Sequence, residues 1–455
     1  MAEAIGFNIV KKFFTLGNER SLRVKKNVLV SFICRGLSIV ISFLIVPITF
    51  GYVGKVEFGI WMTISSIIQW FGYLDIGLGN GLRNKLAESL ALNDTKTARI
   101  YTSSVFAIII IIASLLFTIF FIVSHFIPWN SVLNTNLISN EYLFKTITMV
   151  FFFFCIGFVT NLISSILQAM QKYALKDILS LTGQIIGLIG MFILTKTTEG
   201  SLFNMCLIYS SKTAIVMLIA SFILFTTSLK EYRPSLKYVQ FKKAIPLLRL
   251  GFKFFISQIL YLIVTETSVI LVVQFFGPED VTIYNLALRY ISIVSMGYMM
   301  ILTPFLSAFT EAYYKQEYNW IKKSINRINL IWLLTSSGTI IMIVGSNLFF
   351  HLWLGDKISI PISLIIAMAV SSIIGTWSST YSLFLNGIGK INLQLVIVAI
   401  QAILFFPLSY FFYKLNFGLI ALVSTQIIFA IFSSYLMYFQ YKKIITNSAK
   451  GIWNR

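Results

Sequence analysis

The sequence predicts an all-α polytopic membrane protein of about twelve transmembrane helices in two six-helix lobes, and three observations carry that reading. The 455 residues are 57% hydrophobic and only 11% charged, with a mean hydropathy of +0.85, far above that of a water-soluble chain. Apolar runs long enough to cross a bilayer, which takes ~20 residues each, recur along the chain. The basic residues fall almost entirely on alternate loops between those runs.

Runs bounded by charge, Pro or Asn place helices over 27–52, 57–79, 101–124, 142–168, 174–195 and 201–228. Six more follow over 250–276, 281–309, 327–350, 360–385, 391–413 and 417–440. With a cytoplasmic N-terminus, 28 of the 36 Lys and Arg lie on the inner side. Five (Lys55, Lys145, Lys196, Lys357 and Lys414) lie on the outer side, and Arg35, Lys212 and Arg289 lie within spans. Such a bias sets both termini in the cytoplasm. It also accounts for the net charge of +20 without nucleic acid, which is not expected as a partner. The organisation that follows is an N-terminal lobe 1–228, a basic cytoplasmic linker 229–249 containing Pro234 and Pro246, a C-terminal lobe 250–440 and a cytoplasmic tail 441–455.

Cys34, Cys155 and Cys206 all sit in apolar runs and read as buried thiols rather than a disulfide or metal framework. Two histidines, His125 and His351, are too few for a zinc or catalytic cluster. No cleavable signal peptide is expected, because about 26 polar and basic residues precede the first apolar run.

The second span opens with Gly54-Lys55-Val56-Glu57-Phe58-Gly59-Ile60-Trp61 and the eighth with Gly277-Pro278-Glu279-Asp280-Val281-Thr282-Ile283-Tyr284, 223 residues later. At the same offset Glu88 meets Glu311. The recurrence in register of glycine, acid, Ile-aromatic and acid points to a duplication. Halves of six spans enter the membrane in the same direction, related by a pseudo-twofold axis along its normal. That layout suits alternating access to a site near the midplane.

Five ionisable residues fall within spans: Arg35, Asp75, Lys212, Glu266 and Arg289. Each costs ~2.5 to 3.5 kcal/mol at the centre of a lone helix, so they must face partners or water. Mutual pairing, for instance of Glu266 with Lys212 or Arg289, would only hold helices in register. Arg35 and Arg289 also offer a planar fork of donors suited to phosphate oxygens. Three cations against two anions leave a positive surplus, which favours an anionic cargo. Asp75, about one turn from the inner end of its span, is read as structural before coupling. Glu266 at mid-depth is better placed to carry a proton.

Gly77, Gly79, Asn80, Gly81 and Arg83 follow Asp75. The alternating glycines superficially resemble a phosphate loop, but they come after a long apolar helix and not after a strand, so a nucleotide fold is excluded. They are expected to end or bend that helix. Leu82, Leu86 and Leu90 then recur every four residues, predicting an amphipathic helix along the inner membrane surface.

Tyr52 to Glu88, reading YVGKVEFGIWMTISSIIQWFGYLDIGLGNGLRNKLAE, resembles the Wzx-type O-antigen flippases of the polysaccharide transporter family. That family belongs to the superfamily of MATE exporters and lipid II flippases. The resemblance implies a substrate of undecaprenyl-pyrophosphate-linked oligosaccharide, moved from the inner to the outer leaflet of the bacterial inner membrane. It further implies cations in a central cavity, for which Arg35 and Arg289 are the first candidates and Lys212 the third. Membrane lipids and other polysaccharide assembly proteins, a polymerase and a chain-length regulator, are the implied partners. No cofactor or metal is expected, and the coupling ion, proton or sodium, is left open.

Two other classes compete. A cation-coupled multidrug exporter of the same superfamily would be expected to hold its cargo with acids and aromatics. A membrane sugar polymerase or glycosyltransferase would present catalytic groups on a large outer loop, whereas the longest one here, His125 to Glu141, holds one acid and no Arg or Lys.

Overall fold

Inside a bilayer the backbone has to satisfy its own N–H and C=O groups, so each apolar run closes into a helix. The computed structural model describes residues 19–455 apart from 73, 75, 76, 244–258, 260–262, 264, 265, 304, 356, 357 and 455. Asp75 and most of the first half of the seventh expected span lie outside the described residues. Among those described there is no strand, and fourteen helices have eight residues or more. The first seven are α1 Glu19–Gly72, α2 Leu78–Ala91, α3 Thr95–Phe126, α4 Asn140–Thr160, α5 Leu162–Ala169, α6 Tyr173–Thr197 and α7 Leu202–Thr226. The other seven are α8 Glu266–Phe276, α9 Pro278–Leu302, α10 Phe305–Tyr314, α11 Tyr318–Leu354, α12 Ile362–Gly387, α13 Asn392–Lys414 and α14 Ile420–Ile445.

Ten helical stretches are long and apolar enough to span. One of them, within α1, holds two passes. Gly54 interrupts it at φ 81°, ψ −178°, a conformation open essentially only to glycine. The chain doubles back there: the Phe50 and Phe58 rings meet at 6.2 Å, and Thr49 and Trp61 both reach Tyr209. With α8 as the described part of the seventh pass, the expected twelve are accounted for.

The chain separates into two compact units. The first comprises Met1–Trp61, Ile68–Val132 and Asn136–Ile256, the second Met62–Ile67, Leu133–Thr135 and Ser257–Arg455. The first unit builds a core from Leu78, Leu82 and Leu86 of α2 against Ala98 and Val105 of α3 and Ile163 and Ile166 of α5. The second unit repeats the arrangement with Phe309 of α10, Ile321 and Ile328 of α11 and Phe384 and Leu385 of α12.

The duplication is written in backbone detail. Gly277, 223 residues after Gly54, takes φ 95°, ψ 172°. After α2 the amides of Leu92, Asn93 and Asp94 donate to the carbonyls of Glu88, Leu90 and Ser89. After α10 those of Lys315, Gln316 and Glu317 donate to Glu311, Tyr313 and Ala312, every atom at the same offset. Asn93 and Gln316 at the centres of these turns both have positive φ, 55° and 60°. The helices that follow, α3 and α11, start 223 residues apart as well.

Two expectations change here. The glycine run does not close a spanning helix: the pass ends at Gly72, and Gly77, left-handed at φ 73°, caps the start of α2, with Gly79 and Gly81 in its first turn. The helix that follows is also not a surface float. Leu82 and Leu86 are completely buried, because α3 and α5 supply an apolar bed that local periodicity cannot reveal.

In the first unit the α1 turn is clamped to the α6–α7 connection. The Tyr52 hydroxyl bonds Thr198 Oγ1 at 2.7 Å, and the Glu57 carboxylate accepts from the Leu202 amide at the start of α7. Gly200 lies so close that a methyl group there would sit 2.3 Å from the Tyr52 carbonyl oxygen.

Candidate functional site

The ionisable residues of the first unit are organised by α6. Asp177, in its first turns, receives the Arg35 Nε of α1 at 3.3 Å; the Arg35 side chain is 57% exposed and that of Asp177 only 11%. Among the described residues Asp177 is the sole partner of the Arg35 guanidinium, and none of them engages the two terminal nitrogens of its fork.

Ten residues further along α6, about 15 Å by helix rise, Lys212 of α7 lies against Gly187. A methyl group at 187 would come 2.3 Å from Lys212 Cδ and 3.2 Å from its Nζ. Gly183 and Gly190 complete the stripe, meeting Thr213 Cα at 3.4 Å and Ile208 Cδ1 at 3.2 Å by the same construction. Small residues on one helix face let a neighbouring transmembrane helix approach closely. Lys212 Nζ lies 4.6 Å from the centre of the Tyr209 ring. The Tyr209 ring lies tilted by 51° against Trp61 at 5.2 Å and shares a hydrogen bond of 2.8 Å with Thr49. Two cations and an aromatic pair thus succeed one another along the helices of this unit.

Gly187→Ala is expected to displace the Lys212 stem, a flexible group that can move cheaply, and so to lower the transport that the flippase resemblance implies about tenfold, equivalent to ~1.4 kcal/mol, at unchanged membrane abundance. Gly183→Ala, whose methyl would make an ordinary contact, should leave both unchanged. Rate and abundance measured side by side check the pair.

In the second unit Arg289 is half-buried on α9 and its carbonyl accepts from Ser292 Oγ at 2.8 Å. Glu266, the first described residue of α8, is half-buried and hydrogen-bonds the buried Ser66 hydroxyl, which belongs to the Met62–Ile67 piece of the same unit. Tyr284, the repeat partner of Trp61, bonds Gln426 of α14 at 3.3 Å. Arg83 reaches Gln168 Oε1 at 3.4 Å, a long contact that joins α2 to α5. Gln401 bridges α13 to the Phe429 carbonyl of α14 at 3.1 Å.

The sequence sets three cations against two anions within spans, and the structure adds Asp177 beside Arg35. Glu57 and Asp177 lie near the ends of their spans, where hydropathy alone reads a charge as part of a loop. Asp177 meets Arg35 and Glu57 meets the start of α7. The missing signal for Asp177 was the depth of Arg35 itself, which called for a carboxylate. The signal for the Lys212 seat was the Gly183-x-x-x-Gly187 spacing in an apolar run.

A many-pass helical frame in two units, with ten helical stretches long and apolar enough to span, defines a multi-pass membrane protein. The chain belongs to the polysaccharide biosynthesis protein family, whose model matches residues 24–310. A Yersinia pseudotuberculosis protein described as an O-antigen export protein is 26% identical over 91% of this chain and 95% of its own length. A Salmonella typhimurium protein described as an O-antigen transporter is 22% identical over 77% and 80%. Among solved structures, an inward-facing multidrug resistance MATE family transporter of the MOP superfamily superposes with a TM-score of 0.74 at 14% identity, over 92% of this chain and all of that one. A Vibrio cholerae MATE transporter gives 0.62 at 14% identity, over 95% and 99%. These two share the fold. Family and relatives together make the chain a membrane transporter of the polysaccharide biosynthesis type.

Proposed function

We propose that this chain moves undecaprenyl-pyrophosphate-linked oligosaccharide from the cytoplasmic to the periplasmic leaflet of the bacterial inner membrane by alternating access. The observation that carries the reading is the state of Arg35: anchored through Nε by Asp177, more than half exposed, and with the rest of its fork not met by any other described residue within a spanning helix. A guanidinium held this way is oriented for phosphate oxygens, and Lys212 offers a second cation about 15 Å deeper along α6. The relatives described as exporting or transporting O-antigen supply the cargo class. The polyprenyl tail stays in lipid while sugar and pyrophosphate follow the polar side chains. The basic loops then face the cytoplasm.

Purified protein in vesicles with fluorescent lipid-linked oligosaccharide tests the reading. Flipping should depend on the protein and be absent with a cationic dye as cargo; dye export without lipid flipping would assign the chain to drug transport instead. Glu266 is the coupling group we propose, through protonation at its bond to Ser66. Glu266→Gln should therefore keep downhill flipping but lose its response to an imposed pH gradient, and a retained response removes Glu266 from coupling.

A further inference from the structure

The segment after α7 is not a loose joint over its described part. Two short 3-10 turns, Lys230–Tyr232 and Leu236–Tyr238, strap it across α3. The Ser235 amide donates to Ser103 Oγ at 3.1 Å and the Gln240 amide to Ser104 Oγ at 2.8 Å. Arg99 Nε donates to the Arg233 carbonyl at 3.1 Å, and its guanidinium lies 4.3 Å over the Tyr238 ring. These anchors fix a level, because Val105 begins the unbroken apolar stretch of α3 directly after Ser104. At ~1.5 Å per residue the 32 residues of α3 also exceed the ~30 Å hydrocarbon layer by several turns. The strap therefore crosses α3 where hydrocarbon gives way to headgroups.

Its outer face combines two chemistries. Lys230, Arg233, Lys237, Lys242 and Lys243 are all exposed, against the single acid Glu231. Between them Leu236 is 88% and Phe241 53% exposed. The end of the strap comes near the α2–α3 turn: Asp94, whose carboxyl is held below the ordinary range by bonds from the Thr97 hydroxyl and amide, also feels Lys243. Beside it Leu92 is 74% exposed. Apolar side chains set among cations at this depth are what an anionic interface accommodates.

We infer that the strap Lys230–Lys243 is a docking surface for the anionic phospholipid headgroups of the bilayer that the first unit crosses, with Leu236 and Phe241 inserted among the acyl chains. Each cation is expected to add about fivefold to the preference for anionic over neutral headgroups. This inference concerns the lipid around the transporter and stands whether or not the proposed cargo is right.

The test uses the full chain with Leu236→Cys carrying a nitroxide, the three native cysteines being buried. In vesicles containing one-third phosphatidylglycerol the label should become accessible to oxygen and shielded from a water-soluble nickel chelate. It should be several-fold less so in phosphatidylcholine alone. Lys237→Gln, Lys242→Gln and Lys243→Gln together should reduce the difference between the two lipids to the part that Lys230 and Arg233 support. A label open to the nickel chelate in anionic vesicles overturns the proposal and leaves the strap as a surface for a soluble partner. Equal insertion in both lipids, or a preference untouched by the three glutamines, also overturns it.

Discussion

Arg35→Ala should stop export: lipid-linked repeat units accumulate on the cytoplasmic leaflet, and the flipping rate in vesicles falls by about 100-fold, the equivalent of ~3 kcal/mol for a lost charge-assisted contact. The variant also strands Asp177, whose side chain is only 11% exposed. Leaving one member of a buried pair alone costs ~3 kcal/mol or more, but the exposure of Arg35 reduces that figure substantially through solvent screening. A loss of export alone would therefore not separate transport from stability. The double variant Arg35→Ala, Asp177→Ala does. If the pair serves only to hold α1 on α6, removing both ends restores abundance and transport together. If Arg35 meets the cargo, abundance returns and export does not. Arg35→Lys should retain part of the activity, since an ammonium supplies the charge without the fork.

Gly200→Ala is expected to have the largest effect on the fold. Its methyl would lie 2.3 Å from a backbone oxygen, that of Tyr52, and neither strand of that contact is a flexible side chain that can step aside. Relief requires the α1 turn to part from the α6–α7 connection, weakening the Tyr52–Thr198 bond and the hold of Glu57 on the Leu202 amide. Overpacking costs ~1 to 3 kcal/mol and a lost hydrogen bond about 1 more, so the melting midpoint in detergent should fall by roughly 2 to 4 °C. Gly36→Ala is the matched control. A methyl there meets nothing within 4 Å, and a helical alanine in place of glycine should be neutral or mildly stabilising. Equal midpoints for the two variants would show that the clamp does not limit stability.

Much of the frame was legible in the residues alone. Helices in a bilayer answer to a local rule, a run of apolar side chains long enough to span, and each run carries that signal within itself. The duplication was legible for a related reason: Gly54 and Gly277 share a backbone conformation that few other residues tolerate, so the repeat left a mark in composition. Arg35, Lys212, Arg289 and Glu266 stood out because a charge in an apolar run is costly wherever it ends up facing. What no local rule could reach was the choice of partners. Arg35 and Asp177 stand 142 residues apart, the Lys212 seat exists only because α6 presents Gly187 to α7, and α2 is core and not surface because α3 and α5 fold over it. Hydropathy and helix propensity are properties of neighbouring residues along the chain. Charge pairing and close helix approach are properties of neighbours in space, and only the packing of the helices decided which those would be.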